Sequence, residues 1–107
     1  MAYRIEFSKR ALRKFEALPI AVQNHLKPII SSLSNDSRPA RARNVKELDM
    51  CYRLRSGNYR IVYAVRDDVL LVLVLTVADR REVYSPKEIA AVRKELRKRL
   101  REDFGRR

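Results

Sequence analysis

Tryptophan is absent from this chain, cysteine and histidine occur once each, and glycine occurs twice. Each scarcity removes a class of chemistry. A lone Cys51 rules out an internal disulfide and points to a reducing compartment, the cytoplasm. One cysteine and one histidine give no metal-ligand cluster, so neither a metal nor a cofactor is expected. His25 alone cannot form a two-histidine nuclease centre, and it reads as a surface or helix-packing residue. Gly57 and Gly105 cannot build a glycine-rich phosphate loop. Apolar runs are short as well. The longest, Val69 to Val77, suits a buried strand and cannot span a bilayer. The opening residues, Met1 to Phe7, carry no apolar stretch before a small-residue cleavage site, so no secretory leader is predicted.

Positive charge is abundant. Over 107 residues the formal net charge is +12. A charge of this size implies a polyanionic or acidic partner and does not choose between them. Nine basic and four acidic residues lie between Ser85 and Arg107, so the C-terminal end is the denser part of a chain that is basic throughout. The length predicts one domain, 1–107, with 85–107 as a basic helix and tail.

Periodicity orders the elements. Tyr3, Ile5 and Phe7 alternate as a strand. Ser8 can cap a helix carrying Ala11, Leu12, Phe15 and Leu18, and Pro19 ends it. Val22, Leu26, Ile29 or Ile30, and Leu33 mark a second helix, which Pro28 should kink or split, and the two should form a helical hairpin. Residues 34–44 read as a loop holding Arg38, Arg41 and Arg43, with Lys46 just beyond. Strands are predicted at Cys51–Arg55, Asn58–Arg66 and Val69–Val77, with a turn at Asp67–Asp68 and a short strand or extended segment at Glu82–Tyr84. Ser85-Pro86-Lys87-Glu88 is a capping box that starts the last helix. Its stripe of Ile89, Val92, Leu96 and Leu100 is narrow, which predicts weak docking. The expected fold is α+β, with a strand, two helices, antiparallel strands in one sheet, and a basic helix. The first two helices should cover one face of the sheet.

The most informative stretch runs from Tyr52 to Tyr63. Polar and apolar residues alternate there around Gly57-Asn58, a hairpin signature. A two-residue turn pairs Ser56 with Tyr59, Arg55 with Arg60, and Arg53 with Val62. Arg53, Arg55 and Arg60 then share a face. Like charges in opposition destabilise a sheet, and a bound phosphate would relieve them. A solvated strand face is the competing reading of the same residues. Tyr52, Tyr59 and Tyr63 read as packing residues.

These pieces resemble the RelE/ParE toxin superfamily. The match runs from Tyr3-Arg4-Ile5-Glu6-Phe7-Ser8 and Ala11-Leu12, through Leu48 and Tyr52 to Tyr63, to Asp79-Arg80-Arg81-Glu82-Val83-Tyr84. The resemblance implies a type II toxin neutralised by a cognate acidic antitoxin. A RelE-like member would cut messenger RNA in the ribosomal A site. A ParE-like gyrase inhibitor and a non-catalytic RNA-binding protein are the alternatives. By motif match, catalytic roles fall on Arg60, Arg80 and Tyr84, and phosphate binding on Arg53 and Arg55. Arg81, Lys46, Arg93 and Arg97 are further RNA-binding candidates. Arginine effectively never loses its proton, so Arg53 and Arg55 can hold charge but cannot serve as the base. The resemblance places a histidine before Arg80 in many members, where this chain has Asp79.

Overall fold

The computed structural model describes residues 2–105, with side chains through Glu102. The chain runs β1 (Arg4–Phe7), α1 (Lys9–Glu16), α2 (Ile20–Ser32), β2 (Arg43–Asn44), β3 (Cys51–Ser56), β4 (Tyr59–Arg66), β5 (Leu71–Asp79) and α3 (Pro86–Gly105). The five strands form one sheet in the order β1-β5-β4-β3-β2.

The β3–β4 hairpin has the expected register: Ser56 opposite Tyr59, Arg55 opposite Arg60, and Arg53 opposite Val62. Gly57 makes the turn at φ +57°, a conformation that disfavours residues with a Cβ. β4 continues antiparallel to β5 with a bulge between Val62 and Tyr63, where Leu75 is the extra residue on β5. The sheet is not wholly antiparallel, because β1 pairs parallel to β5, with Arg4 opposite Leu71 and Phe7 opposite Val74. Two residues of the 34–44 loop, Arg43 and Asn44, form the edge strand β2 against Arg53 and Tyr52.

Ser8 caps α1 by accepting the Ala11 N–H at 3.1 Å. The side chain of Gln23 donates back to the carbonyls of Leu18 and Glu16, closing the short link between α1 and α2. Ala11, Phe15, Leu26, Ile30 and Leu33 pack with Leu54, Ile61, Tyr63, Val65, Val72, Val74 and Val77 on one face of the sheet. Leu12, expected in that stripe, is exposed. α2 is not split at Pro28. Both Pro28 and Asn24, whose carbonyl loses its helical partner, are exposed, so water can satisfy the freed acceptor.

The second face is also covered, as the nearly continuous apolar run of β5 requires. Val92 and Leu96 of α3 are buried against Cys51, Val62, Ala64, Leu71, Leu73 and Leu75, with Ile89 and Leu100 at the margin. Docking of α3 is therefore firm rather than weak. Its N-terminus is also half of the expected capping box. Ser85 Oγ accepts the Glu88 N–H at 3.1 Å, but the Glu88 carboxylate turns inward. It accepts both Arg10 Nη atoms, at 2.8 and 2.5 Å, and Thr76 Oγ1 at 2.6 Å. Lys14 Nζ lies 3.3 Å away. Burial would raise the Glu88 pKa, but Arg10, Thr76 and Lys14 outweigh it and bring it down to about 2. This carboxylate ties α3, α1 and β5 together.

The other boundary corrections have local causes. Asp67 to Leu70 form the turn before β5, with Leu70 at φ +51°, so the strand starts at Leu71 rather than Val69. Glu82–Tyr84 is a turn, not a strand. The N–H groups of Glu82 and Val83 both donate to the Asp79 carbonyl, and Val83 is buried beneath.

Candidate nucleic-acid interface

Side chains on the α3 face of the hairpin build the site. Cys51, Arg53 and Arg55 alternate onto this face of β3, as Arg60, Val62 and Ala64 do on β4. α3 covers Cys51, Val62 and Ala64 but leaves the tip of the hairpin with its arginines. The end of β5 meets that tip, since Tyr59 pairs with Asp79 and the Arg80 N–H donates to the Asn58 carbonyl at 2.8 Å. The structure thus brings Arg55, Arg60 and Arg80 to one end of the sheet.

Arg60 is 9% exposed, and its Nη1 donates to the carbonyls of Gly57 and Tyr59 at 3.1 and 3.0 Å. The turn therefore fixes the orientation of this guanidinium. Arg53 lies beneath Tyr84, with Cζ 5.5 Å from the ring centroid, a cation–π contact. Tyr84 is 41% exposed, so its ring also borders solvent. A cavity of about 500 Å³ opens there, lined by Asn44, Lys46, Glu47, Arg53, Tyr84 and Ile89 among others. Lys46 is thereby joined to Arg53 and Tyr84. Glu47, a carboxylate in that wall, was not foreseen, because a single acid in a loop has no periodic signature.

The remaining candidates are placed less centrally. Arg81 is exposed beyond Arg80, and its N–H donates to Asp79 Oδ1. Asp79 lies opposite Tyr59, which packs against the α1–α2 side, so this carboxylate is not on the arginine face. Arg93 Nη2 donates to the Glu47 carbonyl at 2.8 Å, tying α3 to the wall of the Tyr84 cavity. Arg97 lies exposed on α3, where it borders a shallow groove with Arg93, Lys94 and Arg101. The packing tyrosines behave as expected. Tyr63 is fully buried with its hydroxyl donating to the Ser37 carbonyl, and Tyr52 stacks on it at 5.9 Å. Arg38 pairs with Asp67 and Tyr52 and is committed to the fold.

Five of the acids are paired elsewhere. Glu6 pairs with Arg4 and Arg99, Asp67 with Arg38, Asp68 with Arg66, Glu82 with Lys14, and Glu88 with Arg10. Among the described residues, no carboxylate pairs with Arg53, Arg55, Arg60 or Arg80. The tip is a concentrated cationic surface held by the fold.

Residues 5–84 match the family model for the ParE toxin of type II toxin-antitoxin systems, parDE. The chain belongs to the RelE/ParE superfamily of type II toxins. The mRNA interferase toxin RelE of Escherichia coli is 36% identical over 89 residues, covering 79% of this chain and 93% of that protein. A doubly substituted variant of E. coli RelE in the free state superimposes with a TM-score of 0.70 at 29% identity, covering 88% of this chain and 97% of that one. The toxin in the intact E. coli RelBE toxin-antitoxin complex gives a TM-score of 0.64 at 32% identity, covering 73% and 96%. The superfamily fold therefore accounts for most of the chain, including the hairpin and the segment reaching Tyr84. Among the described residues no helix is long and apolar enough to cross a membrane.

Proposed function

We propose that this chain is an mRNA interferase of the RelE type, the toxin of a type II toxin-antitoxin pair, acting on messenger RNA in the ribosomal A site. The observation that carries this reading is the group of guanidiniums without carboxylate partners at the hairpin tip, next to the half-exposed Tyr84 ring. Similarity to E. coli RelE supports the endoribonuclease activity, and the likeness to the RelBE complex supports an antitoxin partner. With a net charge of +12, a partner that neutralises the toxin directly would be acidic.

The chemistry follows from what these groups can do. The 2′-oxygen of a ribose attacks the adjacent phosphorus and loses its proton. The bond from phosphorus to the 5′-oxygen breaks, and that oxygen gains a proton. The products are a 2′,3′-cyclic phosphate and a 5′-hydroxyl. Arg60, held by two turn carbonyls, is oriented to stabilise charge on the phosphoryl oxygens. Arg80 shares this role or faces the leaving oxygen. Arg53 and Arg55 bind phosphate and cannot accept the proton. Tyr84 positions the ribose or exchanges the proton, and Glu47 is the carboxylate in the same cavity wall.

The test is Arg60→Ala and Arg80→Ala, singly and together, with purified protein added to programmed ribosomes. Both should lose messenger RNA cleavage by about 100-fold or more, the scale of removing an oriented charge-stabilising donor. Gyrase supercoiling should be unaffected by any form of the protein. A folded double variant that still cuts at the original rate would overturn the site, and gyrase inhibition without cleavage would favour the ParE-like alternative.

A further inference from the structure

His25, far from the arginines in sequence, sits beside them in space. Its Nε2 is 3.1 Å from Ser56 Oγ at the end of β3. β2 covers β3 only at Tyr52 and Arg53, so Leu54 to Ser56 have no strand neighbour on that side. A cavity of about 550 Å³ opens at this uncovered edge, lined mainly by His25, Arg41, Arg43, Arg53, Arg55 and Ser56. It is distinct from the Tyr84 cavity, and Arg53 lies in the walls of both. No carboxylate lines it. Arg43 is oriented through Nη1 by the carbonyls of Ala40 and Ala42. Arg41 makes no hydrogen bond or ion pair among the described residues.

Four guanidiniums around one space, with no acid among them, repel one another. An anion in that space removes the repulsion, and guanidinium forks match the oxygens of a phosphate group. We propose that this edge cavity is a second phosphate subsite, which holds a backbone phosphate of the same RNA strand whose base lies at Tyr84. The continuity through Arg53 favours a nucleic-acid strand over an acidic peptide. One strand can set a base against the Tyr84 ring and carry its neighbouring phosphate past Arg53 to His25 and Arg41. The proposal deepens the interferase reading by extending its RNA path.

His25 is the only histidine in the chain, so its imidazole proton resonances report this cavity without ambiguity. The intact protein is titrated, without ribosomes, with a 2′-O-methyl trinucleotide that cannot be cleaved. Parallel titrations use inorganic phosphate and a short polyglutamate peptide, and binding is followed independently by fluorescence anisotropy. The trinucleotide should shift the His25 resonances to saturation at concentrations where inorganic phosphate does little. Arg41→Ala combined with Arg43→Ala should weaken trinucleotide binding at least tenfold. It should also lower the salt slope by about 1.4, two single-strand contacts at about 0.7 each. Arg41→Ala alone, which breaks no internal bond, should weaken binding about threefold and guards against a fold defect in the double variant. Three outcomes overturn the proposal: bound trinucleotide with unmoved His25 signals, equal affinity in the arginine variants, or a shift produced equally by inorganic phosphate or by polyglutamate alone. Because cleavage is not the readout, a failure here is separable from a failure of the interferase reading.

Discussion

Replacing Glu88 with Gln isolates the charge of one buried carboxylate. The side chain is 4% exposed and holds Arg10, Lys14 and Thr76. Glutamine keeps the shape and the helix-cap N–H donated to Ser85, but it leaves Arg10 without its anion and Lys14 with Glu82 alone. Moving the carboxyl from its ordinary 4.5 to about 2 contributes about 3 kcal/mol near neutral pH, at 1.36 kcal/mol per pH unit. Arg10 and Lys14 are 28% and 22% exposed and can turn partly to solvent, so about 2–3 kcal/mol is the expected loss. The sign of the pH dependence is fixed by the lowered pKa. The contribution is complete above about 4.5, where the unfolded carboxyl is also ionised, and it is lost as pH falls towards 2. Urea unfolding at pH 7 should show the variant's midpoint lower by about 1–2 M, given a slope of about 1.5 kcal/mol per molar. At pH 3 the difference should shrink to about half or less. An equal difference at pH 7 and pH 3 would refute the ionic account and leave only packing.

Three further outcomes are expected. Tyr84→Phe should cut the single-turnover cleavage rate while leaving ribosome binding near normal, whereas Tyr84→Ala should also weaken binding, since it removes the ring over Arg53; full activity in the Phe variant would show that the hydroxyl is dispensable. Neutralising Arg97 and Arg101 should flatten the salt dependence of ribosome binding; adding Arg93→Ala should also lower stability by about 1 kcal/mol in urea unfolding, because Arg93 anchors the Glu47 carbonyl. Cys51 is fully buried and burial pushes its thiol up to about 12, so thiol reagents should modify it only at the rate of unfolding; prompt modification of the native protein would contradict the packing.

The hairpin was legible because two independent signals agreed. Gly57-Asn58 fixes the turn, and alternation fixes which residues face which way, so the Arg55–Arg60 pairing follows from the sequence alone. The start of α3 was legible for a similar reason, since Ser85 and Pro86 act locally. What was missed depends on contacts between distant segments. Glu88 fits a capping pattern, and only the approach of Arg10, 78 residues away, redirects its carboxylate. The narrow stripe of α3 suggested weak docking because stripe width says nothing of what the sheet offers opposite. β2 is two residues long and carries no periodicity at all. His25 joined the arginine edge through α2 packing, which no spacing along the chain encodes.

The parallel pairing of β1 with β5 also has a kinetic consequence. Arg4 meets Leu71 across more than sixty intervening residues, while β3, β4 and β5 are joined by short turns. Local hairpins form in microseconds, whereas a contact of such long range must first overcome the entropy of closing its loop. The meander that carries the arginine tip should therefore assemble early, and insertion of β1 beside β5 should close the sheet late. Until that closure, the β1-side edge of β5 is an open run of backbone donors and acceptors in the most apolar strand of the protein. A nascent chain of this toxin is then both charged at its tip and adhesive at its edge, and its yield should depend on how soon β1 docks.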